Sequence, residues 1–173
     1  SVSYAQDFEI RAVVVDDTTV GIEMRETSGS NTPTTGDIIT GCVFGLKWSN
    51  SSNNDLGTID NSSGYNVVKS GVEEINGSEE FQSFAITSDP FFPSNWTEDS
   101  WEEICQINSD NGNFTGTLDI CPTGFDNTTD PYFSVNLNDY TPTINGSANF
   151  TVLPAELGKF EVFKEKNYAH LIW

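Results

Sequence analysis

The sequence predicts an all-β fold: an antiparallel sandwich of about nine strands, followed by a C-terminal β-hairpin. Three observations point there. Apolar residues recur with period two through most of the chain, the spacing of a half-buried strand. Clusters of Gly, Asn, Asp and Ser interrupt these runs roughly every 8–12 residues. No segment sustains a helical period beyond about two turns.

Each element follows from its own pattern. In the run from Phe8 to Val14, the even positions Phe8, Ile10, Ala12 and Val14 are apolar. Asp16-Asp17-Thr18 is turn chemistry. Beyond it, Val20, Ile22 and Met24 alternate with Gly21, Glu23 and Arg25, completing a first hairpin. A long strand from Asp37 puts Ile38, Cys42, Phe44, Leu46 and Trp48 on one face. Shorter strands are predicted at 56–59, 65–69, 81–87, 101–107, 115–121, 132–137 and 148–153, separated by polar loops at 49–55, 60–64 and 108–116. The best helical candidate is short, at 96–104. Residues 7–153 therefore read as the sandwich domain, 154–173 as a C-terminal strand pair, and 1–6 as an extended N-terminus or a signal-peptide remnant, since Ser3-Tyr4-Ala5 has the small-x-Ala form.

A chain of 173 residues suits one main domain with a sizeable core. Its formal net charge is -19, from 26 acidic and 7 basic side chains. Only Arg11, Arg25, Lys47 and Lys69 precede Ala155, whereas Lys159, Lys164 and Lys166 balance Glu156, Glu161 and Glu165 in the tail. The acidic field thus belongs to the body. It predicts repulsion from nucleic acid and from anionic membranes, and it serves either to keep an exported protein soluble or to gather divalent cations. No apolar run approaches the roughly 18 residues of a membrane-spanning helix.

Chemistry-bearing residues are sparse. The single histidine, His170, sits in the tail strand, so no Ser-His or Cys-His pair forms on the body, and no phosphate-binding or zinc-binding spacing occurs. Paired carboxylates such as Glu73/Glu74 and Glu102/Glu103 are neighbours on strands and point to opposite faces, which suits a solvated surface better than a glycosidase cleft. The expectation is a protein without enzymatic activity. No cofactor is expected except calcium, for which Asp55, Asp60 and Asp110 are the candidate ligands in Asn/Asp-rich loops. The cysteines Cys42, Cys105 and Cys121 allow one disulfide at most. A Cys105–Cys121 bridge and three free thiols both remain open, with Cys42 read as a buried apolar residue. Phe91, Phe92 and Trp96 form a Pro-bounded aromatic crossing, a candidate ligand-binding patch if exposed. Eight Asn-x-Ser/Thr triplets occur in this Asn/Ser/Thr-rich sequence.

Two resemblances add to this reading. The tail runs Leu153-Pro154-Ala155-Glu156-Leu157, then a strand through Phe160 and Val162, a polar turn, and a strand ending Leu171-Ile172-Trp173. It resembles the module that precedes the sorting domain in surface proteins exported by type IX secretion in Bacteroidota. In that family further strands complete a fibronectin-III-like sandwich. The resemblance implies a secreted, cell-surface protein. It also makes Asp17-Thr18-Thr19 similar to the O-glycosylation acceptor of such organisms, with Thr18 the modified residue. Across 7–153, the strand order, the Gly45-Leu46-Lys47-Trp48 strand and the Gly116-Thr117-Leu118-Asp119-Ile120 strand loosely resemble cohesin-like and carbohydrate-binding sandwiches of immunoglobulin-like build. The combined expectation is a structural or adhesive surface protein, self-assembling as a filament or array subunit, or else a carbohydrate-binding or cohesin-like recognition module. The partner is then another copy of the chain or an extracellular glycan. An isolated hairpin is marginal in water. Phe160, Val162, Leu171 and Trp173 therefore need a surface, and packing on the chain's own body, pairing with a neighbouring subunit and extension by further strands all remain open.

Overall fold

The computed structural model describes residues 8–27, 36–87, 99–126 and 128–151, together with the backbone of 161–165 and 168–172. Among these residues all regular structure is β-strand. The strands are β1 (Phe8–Asp16), β2 (Thr19–Glu26), β3 (Ile39–Ser49), β4 (Leu56–Asp60), β5 (Val67–Asn76), β6 (Glu79–Ile86), β7 (Glu102–Ser109), β8 (Gly116–Ile120), β9 (Tyr132–Val135), β10 (Asn138–Asp139), β11 (Thr143–Ile144), β12 (Ala148–Phe150), β13 (Glu161–Glu165) and β14 (Tyr168–Ile172).

They form the expected sandwich. The first sheet has the order β11-β1-β2-β7-β4. The second has the order β10-β9-β3-β6-β5, and β8 also pairs with β3 and carries β12 on its other side. The period-two pattern is what makes this work. Phe8, Ile10 and Ala12 of β1, Val20, Ile22 and Met24 of β2, and Cys42, Phe44, Leu46 and Trp48 of β3 are all buried between the sheets. Aromatic pairs knit the core, Phe44 stacking on Phe84 at 5.2 Å and Phe8 meeting Phe133 at 4.8 Å between centroids. Each such fully buried side chain contributes roughly 1.5–3 kcal/mol relative to exposure.

The candidate helix at 96–104 is not found in its described part, where Glu102 opens β7. The cause is a β-bulge. Ile22 pairs with Cys105 and Glu23 with Glu103, so Ile104 is the extra residue and both Ile104 and Cys105 turn inward. The bulge gives Trp101, Ile104, Cys105 and Ile107 a spacing that mimics one helical face.

The two sides of the sandwich close differently. On one side the chain changes sheets. Thr143 and Ile144 run parallel to β1 opposite Glu9 and Ile10, Asn145 N donates to Ile10 O (2.8 Å), and three residues on β12 has joined β8. On the other side side chains bridge β4 to β5. Lys69 Nζ donates to Leu56 O, Leu56 N donates to Glu73 Oε1 (3.3 Å), and the Asn61 amide bonds the Val67 backbone in both directions (2.7 and 3.0 Å).

A second, smaller cluster lies outside the main core. Residues 121–126 and 128–131 cross the outer face of the second sheet as a strap. Phe125 packs edge-on against Phe81 at 5.3 Å, Asn76 Nδ2 donates to Phe125 O (3.0 Å), and Cys121 N donates to Gly45 O (2.8 Å). Thr129 is wholly buried over Gly45. This placement corrects the bridge allowed between Cys105 and Cys121. Cys105 belongs to the core between the sheets, while Cys121 sits under the strap, so the two sheets' separate environments hold them as free, buried thiols.

β13 and β14 pair only with each other among the described residues, Val162 opposite Leu171 and Phe163 opposite His170.

Candidate functional site

The most exposed large apolar residues on any strand of the sandwich lie on β5, the last strand of the second sheet. Its register with β6 breaks between Ser70 and Glu74: Ser70 pairs with Ser83 and Glu74 with Phe81. Four steps along β5 thus correspond to two along β6. Gly71 absorbs the excess at φ 81°, a backbone state open to glycine at little cost. The bulge leaves Val72 74% exposed, and Ile75 beyond it is 67% exposed. Burying such residues would be favourable, so this edge is a natural contact surface.

Carboxylates surround the edge. Glu73, Glu74, Glu79 and Glu80 all belong to the β5–β6 hairpin. Glu80 accepts a hydrogen bond from Trp48 Nε1 (3.2 Å), which fixes the end of the buried indole. Burial raises the Glu73 carboxyl above its ordinary range, and Asp55 and Glu80 add like-charge repulsion. The Leu56 N–H and Lys69 oppose the shift. The nearby cations are already engaged, Lys69 with Glu73 and Lys47 with Glu79 and Asp119.

The remaining two cations of the described body are engaged as well. Arg11 pairs with Glu23 (2.6 Å) and Arg25 with Glu9 (2.5 Å) across the β1–β2 ladder. Trp101 lies over both guanidinium groups, with Arg11 Cζ 3.9 Å and Arg25 Cζ 4.7 Å from its ring centre. Every basic side chain in the described body therefore has a carboxylate partner. Whatever the acidic surface attracts must bring its own positive charge.

A second exposed apolar residue is Leu137, 85% exposed in the turn between β9 and β10 at φ 65°. Its backbone is firmly held. Asn136 Oδ1 accepts from Ile38 N (3.0 Å), Asn136 N donates to Ile38 O (2.8 Å), and Leu137 N donates to Thr40 Oγ1 (3.0 Å).

The residues singled out from sequence fall in several places. Thr18 is exposed at the tip of the β1–β2 turn. Its N–H and hydroxyl both donate to Asp16 Oδ1, at 2.8 and 2.9 Å, and these bonds hold the Asp16 carboxyl below its usual range. Of the calcium candidates, Asp55 and Asp110 adjoin through the bond from Asp110 N to Asp55 O (2.9 Å), whereas Asp60 lies at the far end of β4, where its Oδ1 accepts from Ser62 N. Among the described residues no three His, Cys, Asp or Glu side chains gather to hold a metal ion. The thiols are passive. Burial alone pushes Cys42 up to about 12, and burial is the main cause that takes Cys121 to about 12. Phe91, Phe92, Trp96, Phe160 and Trp173 lie outside the described residues, and Val162 and Leu171 are described by backbone alone.

Val72, Ile75 and Leu137 were not singled out in the sequence. Val72-Glu73-Glu74-Ile75 breaks the period-two pattern of a strand, and only that irregularity, next to Gly71, could have signalled a bulge.

No family model matches the chain, and no curated protein matches it in sequence. Among solved structures it is similar in fold to cohesins. The seventh ScaB type I cohesin of Pseudobacteroides cellulosolvens is 16% identical, with a TM-score of 0.45 over 86% of this chain and 96% of that one. The cohesin of the OlpC–Doc435 cohesin–dockerin complex of Clostridium thermocellum is 8% identical, with a TM-score of 0.47 over 86% and 96%. The third ScaC cohesin of Acetivibrio cellulolyticus, in complex with the ScaB dockerin, is 14% identical, with a TM-score of 0.45 over 82% and 97%. Among the described residues no helix is long and apolar enough to cross a membrane.

Proposed function

We propose that this chain is a secreted, non-enzymatic recognition and assembly module of a cell-surface protein. The observation that carries the reading is the bulged β5 edge, which presents Val72 and Ile75 to solvent beside four glutamates on a braced hairpin. Such an edge has the features of a contact surface: unburied apolar area, a defined backbone and one sign of charge. The tail pattern from Leu153 to Trp173 supports export to the surface, and the charge of -19 suits a soluble extracellular protein. Recognition of an extracellular glycan would rest on Phe91, Phe92 and Trp96.

The test is fractionation of the native cells combined with surface proteolysis and a broad glycoside-hydrolysis assay. The reading predicts protein outside the cell, accessible to added protease, with no turnover. Retention inside the cell, or saturable hydrolysis of any glycoside, would overturn it.

A further inference from the structure

We infer that the β5 edge, from Gly71 to Asn76, receives the lysine-bearing tail hairpin of a second copy of this chain. The inference rests on the reading above and names the partner.

The edge has unmet demand on one side only. β6 pairs with Glu74, Ile75 and Asn76 on the inner side, and β5 ends the order of the second sheet. Val67, Lys69 and Glu73 are tied across to the β4 side by the Asn61 amide, the Leu56 carbonyl and the Leu56 N–H. The stretch from Glu74 to Asn76 pairs with β6 and, apart from the bond from Asn76 Nδ2 to Phe125 O, carries none of these bridges. Ile75 stands exposed within that stretch, and Val72 just before it.

Charge selects the occupant. Glu74 has no ion-pair partner among the described residues, and Lys47 and Lys69 are held by other carboxylates. All four basic residues before Ala155 are matched within the body, so one body offers another no cation. The chain's other three basic residues, Lys159, Lys164 and Lys166, flank or belong to β13. That strand reads Glu161-Val162-Phe163-Lys164-Glu165, in which Val162 and Lys164 alternate with Glu161, Phe163 and Glu165, so the first pair is the set that suits a Glu-rimmed apolar edge. The hairpin shares no ladder with either sheet of its own body among the described residues. Two strands alone are marginal in water, and among the described residues this pair has no third strand. Addition to an exposed edge in another copy supplies it.

Sedimentation velocity of the full chain over a wide concentration range tests this, with four variants beside the native sequence. V72E/I75E places charge on the edge, K164E/K166E reverses the tail, E74K/K164E exchanges the two charges, and L137E adds the same charge at the other exposed apolar position. Native chain should associate as concentration rises, and less so at high salt. The edge variant and the tail variant should each weaken association by roughly tenfold or more, the scale of a central interface residue. E74K/K164E should recover most of that loss, and L137E should change nothing. A chain monomeric at every concentration would overturn the proposal. So would association that survives both the edge and tail variants, or that responds to L137E instead. A monomeric yet extracellular, non-hydrolytic protein would remove the second-copy partner and leave the surface-module reading standing.

Discussion

Replacing Gly45 with alanine isolates the strap from the sandwich beneath it. A Cβ built at Gly45 would lie 2.7 Å from Thr129 Cβ, 2.9 Å from Cys121 Sγ and 3.0 Å from Thr129 Cγ2. The two closest are shorter than carbon or sulfur contacts tolerate, so the strap must lift. Gly45 pairs with Ser83 in the middle of the sheet and is held by the Cys121 N–H, so β3 itself cannot retreat. Overpacking of this kind costs about 1–3 kcal/mol. Alanine recovers roughly 0.4–1 kcal/mol by restricting the unfolded chain. The net expectation is a loss of about 1–2 kcal/mol in urea unfolding. A second readout locates the damage. Cys42 and Cys105 lie in the main core, whereas Cys121 is under the strap, so one thiol of three should label faster with a thiol reagent under native conditions. Unchanged stability together with unchanged labelling would refute the packing argument. Equal acceleration at all three thiols would mean that the strap and the core open as one unit.

Three further outcomes follow from particular side chains. The Glu73 carboxyl is raised in the folded state, so folding favours its protonated form. Its contribution to stability should grow as pH falls from neutral through the folded value toward the ordinary value of 4.5. E73Q should abolish that component, seen as the difference between the two urea-midpoint profiles; parallel profiles would reject it. Asp16 and Asp126 are lowered and run the other way, losing stability only as pH falls through and below the range near 3.8. W101A removes the ring that two guanidinium groups cover, at about 0.5–1 kcal/mol each for exposed cation–π contacts, so a loss of roughly 1–2 kcal/mol is expected in thermal unfolding. Thr18 is exposed, and the resemblance of Asp17-Thr18-Thr19 to an O-glycosylation acceptor implies that native material carries a glycan mass that disappears in T18A; a native mass equal to the polypeptide would eliminate the modification.

Much of the sandwich was legible because its strands are half-buried. Where one face meets the core and the other meets water, period two is written into the residues, as from Phe8 to Ala12 and from Cys42 to Trp48, although Val14, on the same predicted face, is exposed. Legibility failed where the ladder itself is irregular. The bulge at Ile104 set four apolar residues at a helical spacing, and the bulge after Ser70 hid the second half of β5 behind Val72-Glu73-Glu74-Ile75. The cysteine question failed for another reason. Spacing in sequence does not say which side of a sheet a residue faces, and Cys105 and Cys121 ended in separate clusters.

The exposed β5 edge is harder to read than the core for the same physical reason. A core position is constrained by everything packed on it, so its identity leaves a periodic trace. An exposed edge is constrained only by a partner, and in the single chain it looks like noise. Charge is the exception, because it can be counted without knowing the fold. Four basic residues among the first 155 meet an excess of carboxylates, and the structure gives each of the four a carboxylate of its own. Sequence asymmetry between body and tail thereby becomes a physical constraint: two strongly acidic bodies repel one another on average, whereas the tail is formally neutral and carries lysines. If the tail docks at β5, that repulsion gives the assembly its direction, since body-to-body contacts are disfavoured and only tail-to-edge contacts remain. Because the tail and the receiving edge are different surfaces, such a contact is heterologous and repeats from copy to copy, which generates a ring or an open filament rather than a closed twofold dimer.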